Sequence, residues 1–179
     1  RQKQDYEAAR ILLTRFHAES PMHPLSIQAN LLYAETLSRT ARYEAATTLL
    51  EDLLKRRDAR GRSHAEALLA LSENEDLAGK TKRAVPYAQR VFNVYRAYPE
   101  LAARAYLMSA RQLVKLGELR AAHRSLEEML SDERIRQLPI ADEAINLRLQ
   151  LNQLLAEEVG VATAINNLTV TGGVEEPQK

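Results

Sequence analysis

The stretch LGELRAAHRSLEEML, residues 116–130, decides the fold. It opens with Leu-Gly, a turn signal, and continues with apolar residues three or four positions apart at Leu119, Ala122, Leu126 and Met129. That spacing places the four side chains on one face of an α-helix. Because an internal repeat determines a fold more strongly than any single element, the first question is whether this segment recurs.

The same pattern recurs at a nearly constant distance toward the N-terminus. Four evenly spaced alanines occupy the matching place in four segments, at Ala9, Ala46, Ala84 and Ala122. The residues four positions later are Leu13, Leu50, Ala88 and Leu126, and those seven positions later are Phe16, Leu53, Val91 and Met129. The segments DYEAA (5–9) and RYEAA (42–46) are nearly identical. The sequence therefore predicts four equivalent helices.

A second set of helices is predicted between these four. Segments 25–40, 63–78, 100–116 and 141–158 also carry apolar residues at helical spacing. Pro21, Pro99 and Pro139 mark loops before three of them, and Gly61 marks the loop before the other. The composition, rich in Ala, Leu, Arg and Glu, favours helix as well. An all-α chain is predicted, in which a helix, a short turn, a helix and a short loop repeat.

These units resemble the tetratricopeptide repeat family over residues 4–158. The matching residues are the four central alanines, the turn residues Gly79, Gly117, Tyr6 and Tyr43, the small residues Ala34 and Ala110, and the closing Pro21. The period is longer than the roughly 34 residues of that family. The resemblance implies a right-handed superhelical α-solenoid of about four stacked antiparallel helix pairs in residues 1–158. We expect a capping helix at 159–169 and a flexible tail at 170–179.

The resemblance also implies a binding groove, because the first helix of each pair lines the concave side in that family. The matching positions are Gln28, Leu31, Leu32, Glu35 and Arg39 in the first unit; Glu66, Leu69, Glu73 and Asp76 in the second; Arg104, Leu107, Met108, Arg111 and Lys115 in the third; and Asn146, Leu149, Gln150 and Gln153 in the fourth.

The charges of this expected groove are segregated, with acidic residues in the second unit and basic residues in the third. Such a groove is expected to orient a peptide or helix of a protein partner, and the alternative is that the charges form a solvated helix face. The family's clamp for a C-terminal carboxylate is matched only by Arg104, since Leu31, Glu35 and Glu73 occupy its other places. An adaptor for chaperone tails is therefore not expected.

Several classes of function lack a signal in the sequence. Lys and Arg number 25 against 24 Asp and Glu, so a nucleic acid is not expected as the main partner. There is no cysteine, no apolar run of about 18 residues, no metal-ligand spacing among the four histidines, and no G-x-S-x-G or phosphate-binding loop. We expect a protein that is not an enzyme and binds no metal or cofactor.

Two local features leave alternatives open. The run KRRDARGR (55–62) follows a helix C-terminus, where cations complement the helix dipole, and the alternative is a contact with an anionic partner. Pro86 lies within a predicted helix, so that the helix either starts near Val85 or kinks, and we expect an irregularity at 80–86.

The expected function is that of a non-catalytic protein–protein interaction scaffold of bacterial type. The alternatives are a sensor or regulatory module of a larger regulator, and a component of envelope assembly or export. Because the first residue is Arg1 and not Met, we expect a fragment of a longer chain, preceded by further repeats and taken from either the cytoplasm or the periplasm. Ile11 and Leu12, exposed at the first helix, are expected to permit self-association.

Overall fold

The computed structural model describes the backbone of residues 2–20, 23 and 25–171, and the side chains of residues 6–20, 23 and 25–158. Within that part of the chain, nine helices follow one another and no strand occurs. They are α1 (Gln2–Glu19), α2 (Ser26–Arg39), α3 (Tyr43–Lys55), α4 (Arg62–Leu77), α5 (Thr81–Val94), α6 (Pro99–Lys115), α7 (Leu119–Ser131), α8 (Glu133–Arg136) and α9 (Ile140–Thr171). The prediction of an all-α chain is confirmed.

The helices pack in the order in which they follow one another in the chain. Each helix from α1 to α6 packs against the next one, and α7 packs against both α8 and α9. Helix α4 also packs against α2 and α6, and α6 packs against α9. The helices α2, α4, α6 and α9 therefore lie side by side in one row. We call it the even row, and α9 is its fourth member because the short helix α8 intervenes between α7 and α9.

The alanine register falls on α1, α3, α5 and α7. Ala46, Ala84 and Ala122 are completely buried, whereas Ala9 on α1 is half-buried. The positions four and seven residues later are also buried on α3, α5 and α7, where they hold Leu50, Leu53, Ala88, Val91, Leu126 and Met129. The positions that repeat in the sequence are thus the positions that are buried on α3, α5 and α7.

Two clusters of buried side chains make up the core. One spans α4 to α9, and the other lies among α2, α3 and α4. Leu54 and Tyr87 pack against both clusters and so connect them. Contacts between neighbouring helices from α2 to α9 therefore connect the two clusters into one core.

The turns that end α2, α4 and α6 share one geometry. Ala41, Gly79 and Gly117, which stand at equal intervals along the sequence, have φ values of 60°, 76° and 76°. In each turn the next N–H bonds back five residues, from Arg42 to Leu37 (2.8 Å), from Lys80 to Glu75 (2.8 Å) and from Glu118 to Leu113 (2.9 Å). This is the Schellman motif, which satisfies the last carbonyl groups of a helix.

A buried polar network joins α2, α3 and α4. Asn74, completely buried, accepts a hydrogen bond from the hydroxyl of Ser38 (2.6 Å) and donates to the carbonyl oxygen of Tyr43 (2.9 Å) and to Thr47 (2.8 Å). Thr47 in turn donates to Oε1 of Glu75 (2.9 Å). The network satisfies polar groups that would be costly to bury alone.

Three sequence expectations differ from the structure. Helix α5 begins at Thr81 rather than near Val85 and continues through Pro86. The short helix α8 was not predicted; Asp132 caps it by accepting a hydrogen bond from the N–H of Arg134 (3.0 Å). The segment 159–169, expected as a separate capping helix, is the C-terminal part of α9, and most of the expected tail lies outside the described residues.

Candidate functional site

Three leucines, one repeat apart, form an apolar floor on the even row. Leu31, Leu69 and Leu107 occupy the same position of α2, α4 and α6 in successive repeats. Leu69 and Leu107 are each 3% exposed, and Leu31 is half-buried. The helical repeat therefore brings together side chains that are far apart in the sequence.

The first cleft lies over α2 and α4 and has a volume of about 500 Å³. Its lining consists of Leu31, Leu32, Glu35, Ser38, Arg39, Glu66, Leu69, Ala70, Glu73 and Arg104. The apolar part of this lining comes from α2 and α4, and Arg104 reaches it from α6.

The second cleft lies over α4 and α6, reaches the start of α9, and has a volume of about 410 Å³. Its lining consists of Glu73, Asp76, Leu77, Arg104, Leu107, Met108, Arg111, Gln112, Lys115, Ile140 and Glu143. Glu73 and Arg104 line both clefts, so the two adjoin along the even row. Each volume falls in the range of about 300–1,000 Å³ that is typical of ligand sites.

Most of the residues expected in a groove line one of these clefts, and a few do not. Gln28 and Gln153 are exposed and line neither cleft, and Asn146, Leu149 and Gln150 also line neither. The clefts also contain residues that the sequence analysis missed, namely Ser38, Ala70, Leu77, Gln112, Ile140 and Glu143. The repeat itself could have identified Ala70, which lies exactly one repeat from both Leu32 and Met108.

The charges of the clefts are paired across neighbouring helices. Arg39 of α2 contacts Glu73 of α4 (Nη2 to Oε1, 2.8 Å), and Lys115 of α6 contacts Asp76 of α4 (Nζ to Oδ2, 2.5 Å). Arg111 of α6 pairs with Glu143 of α9. The acidic residues Glu73 and Asp76 of the second unit are therefore paired by cations of the first and third units, and Arg111 of the third unit is paired by a carboxylate of α9.

Arg104 differs from the other cations of the clefts. Its side chain is exposed, and it forms no ion pair with any residue whose side chain the structure describes. Nearby carboxylates have other partners: Glu66 pairs with Arg62 on its own helix (2.9 Å), and Glu35 lies 4.0 Å from Arg39. Among the described side chains, the cation shared by both clefts thus remains without a carboxylate.

Three of the five cations of the basic run at 55–62 pair with neighbouring carboxylates, one of them being Arg62 with Glu66. Lys55 pairs with Asp52 (2.9 Å), and Arg56 pairs with Asp58 (2.6 Å). The hydrogen bond from Arg56 lowers the pKa of the Asp58 carboxyl from its ordinary value. Arg57 and Arg60 are exposed and pair with no carboxylate among the described side chains, so both interpretations of the run stay predictions.

The four histidines are dispersed over the described chain. His17 lies 2.8 Å from Asn30, His64 lies 2.8 Å from the hydroxyl of Tyr95, and His123 lies 3.5 Å from Glu127. No group of three potential metal ligands occurs among the described residues. Among the same residues, no helix is long and apolar enough to span a membrane.

Comparisons with known proteins give no match: neither a family model, nor a curated protein, nor a solved structure corresponds to this chain. The clefts and their charges are therefore the features on which a function can be based.

Proposed function

We propose that the chain is a tetratricopeptide-like, right-handed superhelical α-solenoid of stacked antiparallel helix pairs. Three features support this architecture: the regular spacing of the turns at Ala41, Gly79 and Gly117, the buried alanines on alternate helices, and the lateral packing of the even row. In such an array the first helices of the pairs form one continuous surface.

On this architecture, the protein acts as a non-catalytic scaffold that binds a peptide or helix of a protein partner along the even row. The observation that carries the proposal is the pair of adjoining clefts over an apolar floor repeated on α2, α4 and α6. Apolar pockets for side chains and a few fixed polar groups are what recognition of a peptide segment requires.

The rim of the clefts adds exposed apolar surface to this floor. Leu32 is 52% exposed and Leu77 is 42% exposed, and both line a cleft. Together with the half-buried Met108, they offer apolar area that only a partner would cover. Contact at such positions excludes water from the centre of an interface, where most binding energy arises.

Site-specific photo-crosslinking in cells that express the protein tests this function. Benzoylphenylalanine replaces Leu32 or Met108 in the clefts, and the matched control replaces Val94, which is 62% exposed on α5 and lines neither cleft. We expect one discrete crosslinked protein from both cleft positions and none from Val94. Equal crosslinking from Val94, or none from the clefts, would contradict the proposal.

A further inference from the structure

The place of Arg104 restricts what the clefts can bind. Both clefts share this side chain, which reaches the first cleft from α6, so a segment that occupies both clefts passes over Arg104. Packed helices lie roughly 8–10 Å apart, so the row from α2 to α6 is roughly 20 Å across. An extended chain of about six or seven residues spans that distance.

We propose that the segment bound across the two clefts carries an internal Asp or Glu side chain over Arg104, with apolar side chains on both sides of it. This inference rests on the proposed function and specifies the chemistry of the partner. On one side the apolar side chains lie over Leu31, Leu69 and Ala70, and on the other side over Leu107 and Met108.

The acidic side chain follows from the pairing of the other charges. A basic side chain at the centre would have to compete with Arg39 for Glu73 or with Lys115 for Asp76, because both carboxylates are already paired. A carboxylate displaces no existing pair at Arg104. A bound apolar segment without an acid would cover the guanidinium and leave it unpaired, which is costly.

The internal position of the acid follows from the second cleft. A chain-terminal carboxylate on Arg104 would place the whole segment on one side and leave the other cleft empty. An acidic side chain within the segment permits both apolar floors to be covered at once, with a charge-assisted hydrogen bond between them.

Selection from a random peptide library tests this chemistry. A phage library of peptides about 12 residues long, roughly twice the span of the row, is panned on the intact chain. We expect enriched peptides to share an Asp or Glu with Leu, Ile, Met or Phe within about three residues on both sides. Peptides with no acid should not be enriched, and a synthetic peptide whose only acid is its free C-terminal carboxylate should bind more weakly than an enriched peptide.

Variants at Arg104 give the second part of the test. Arg104→Glu should lower the affinity of an enriched peptide by at least about tenfold, because the attraction between Arg104 and the acidic side chain becomes a repulsion. A library panned on Arg104→Glu should select Lys or Arg at the place of the acidic residue. Arg104→Lys should retain most of the binding. The matched control is Arg124→Glu, at an exposed arginine of α7 that lines neither cleft, which should change nothing.

Met108→Lys separates the failure of this inference from the failure of the proposed function. One outcome is a set of enriched peptides that share no acid, bind less tightly to Met108→Lys, and bind Arg104→Glu as tightly as the native chain. That outcome would overturn the inference but would still support the even row as the binding face. An absence of enriched peptides, or peptides indifferent to both variants, would overturn both. Melting temperatures establish that each variant, including the one at half-buried Met108, is folded, and those of the variants at the exposed Arg104 and Arg124 should remain close to that of the native chain.

Discussion

At the scale of single residues, the three repeated turns differ in how well their residue suits the backbone. Gly79 and Gly117 adopt positive φ without cost, whereas Ala41 adopts a φ of 60° with a Cβ atom. For an L-residue, the left-handed region costs roughly 1–2 kcal/mol. Ala41 is therefore a local strain that the surrounding packing overcomes.

Replacement of Ala41 by glycine should stabilise the protein. Ala41→Gly removes the strain of the folded state but also increases the conformational entropy of the unfolded chain, which offsets part of the gain. We therefore expect the free energy of unfolding to rise by about 0.5–1 kcal/mol. Gly79→Ala should lower it by a similar amount, since a Cβ there meets nothing within 4 Å and only the φ preference is lost. Urea denaturation measures both, and a destabilised Ala41→Gly variant would show that the turns are not equivalent.

His64 should make stability depend on pH. Burial, together with the charges of Arg90 and Arg60, lowers the pKa of His64 below its ordinary value. A lowered folded-state pKa contributes stability that is present above the unfolded value of about 6.5 and is lost as pH falls through the folded value. We expect the free energy of unfolding to fall more between about pH 7 and pH 5 in the native chain than in His64→Gln. If urea titrations give free energies of unfolding that change with pH in the same way for the native chain and for His64→Gln, His64 makes no such contribution.

A buried carboxylate was not foreseen from the repeat. Glu75 occupies the position that holds Leu37 and Leu113 in the neighbouring units, and it is 2% exposed. Its Oε1 accepts from Thr47, and its Oε2 lies 3.4 Å from Nε of Arg83 without a hydrogen bond. A sequence pattern assigns a position to the core, but it does not show which polar partners meet there.

At the scale of helices, the space at the repeated alanine positions should limit the size of the side chain that fits there. Ala46→Leu, Ala84→Leu and Ala122→Leu each add a large side chain at a site with no exposure, and each should cost roughly 1–3 kcal/mol. Ala9→Leu is the matched control, because Ala9 is half-buried on the first helix and should tolerate the change with a smaller cost. Chemical denaturation of the four variants measures these costs, and a cost at the three buried sites no larger than that at Ala9 would show that volume does not limit these positions.

The order and most bounds of the helices could be predicted because apolar period and turn residues agree along the chain. Of the two alternatives that the sequence left open at Pro86, the structure excludes a helix start near Val85, and a kink stays a prediction. Pro86 lies in the second turn of α5 and provides no N–H for the carbonyl group of Lys82. Because Pro86 and Lys82 are both exposed, water can bond to that carbonyl group. Helix α8 has only four residues, too few for a periodic signal, and depends on the cap at Asp132.

At the scale of the whole molecule, the residues of the clefts could be predicted better than their electrostatics. The floor of Leu31, Leu69 and Leu107 follows from the repeat. The pairs Arg39–Glu73 and Asp76–Lys115 join residues about one repeat apart, so they depend on how neighbouring helices are placed side by side. Sequence alone showed opposite charges on successive units, but it could not show which residues pair across neighbouring helices and that Arg104 pairs with no carboxylate among the described side chains.

The first helix keeps apolar surface that the described chain does not cover. Ile11 is 62% exposed and Leu12 is 69% exposed on α1, away from the clefts of the even row. Self-association through this helix therefore stays a prediction. Sedimentation of the native chain and of an Ile11→Glu variant would measure it.

Methyl NMR of the chain with a peptide enriched from the library tests the central claim most directly, namely that the even row is the binding face. Leu31, Leu69, Leu107 and Met108 report on the clefts, and Ile11, Leu12 and Val94 report on surface outside them. We predict that peptide addition shifts the methyl signals of the cleft residues and leaves the other three in place. Largest shifts at Val94 or Ile11, with the leucine floor unchanged, would contradict the account.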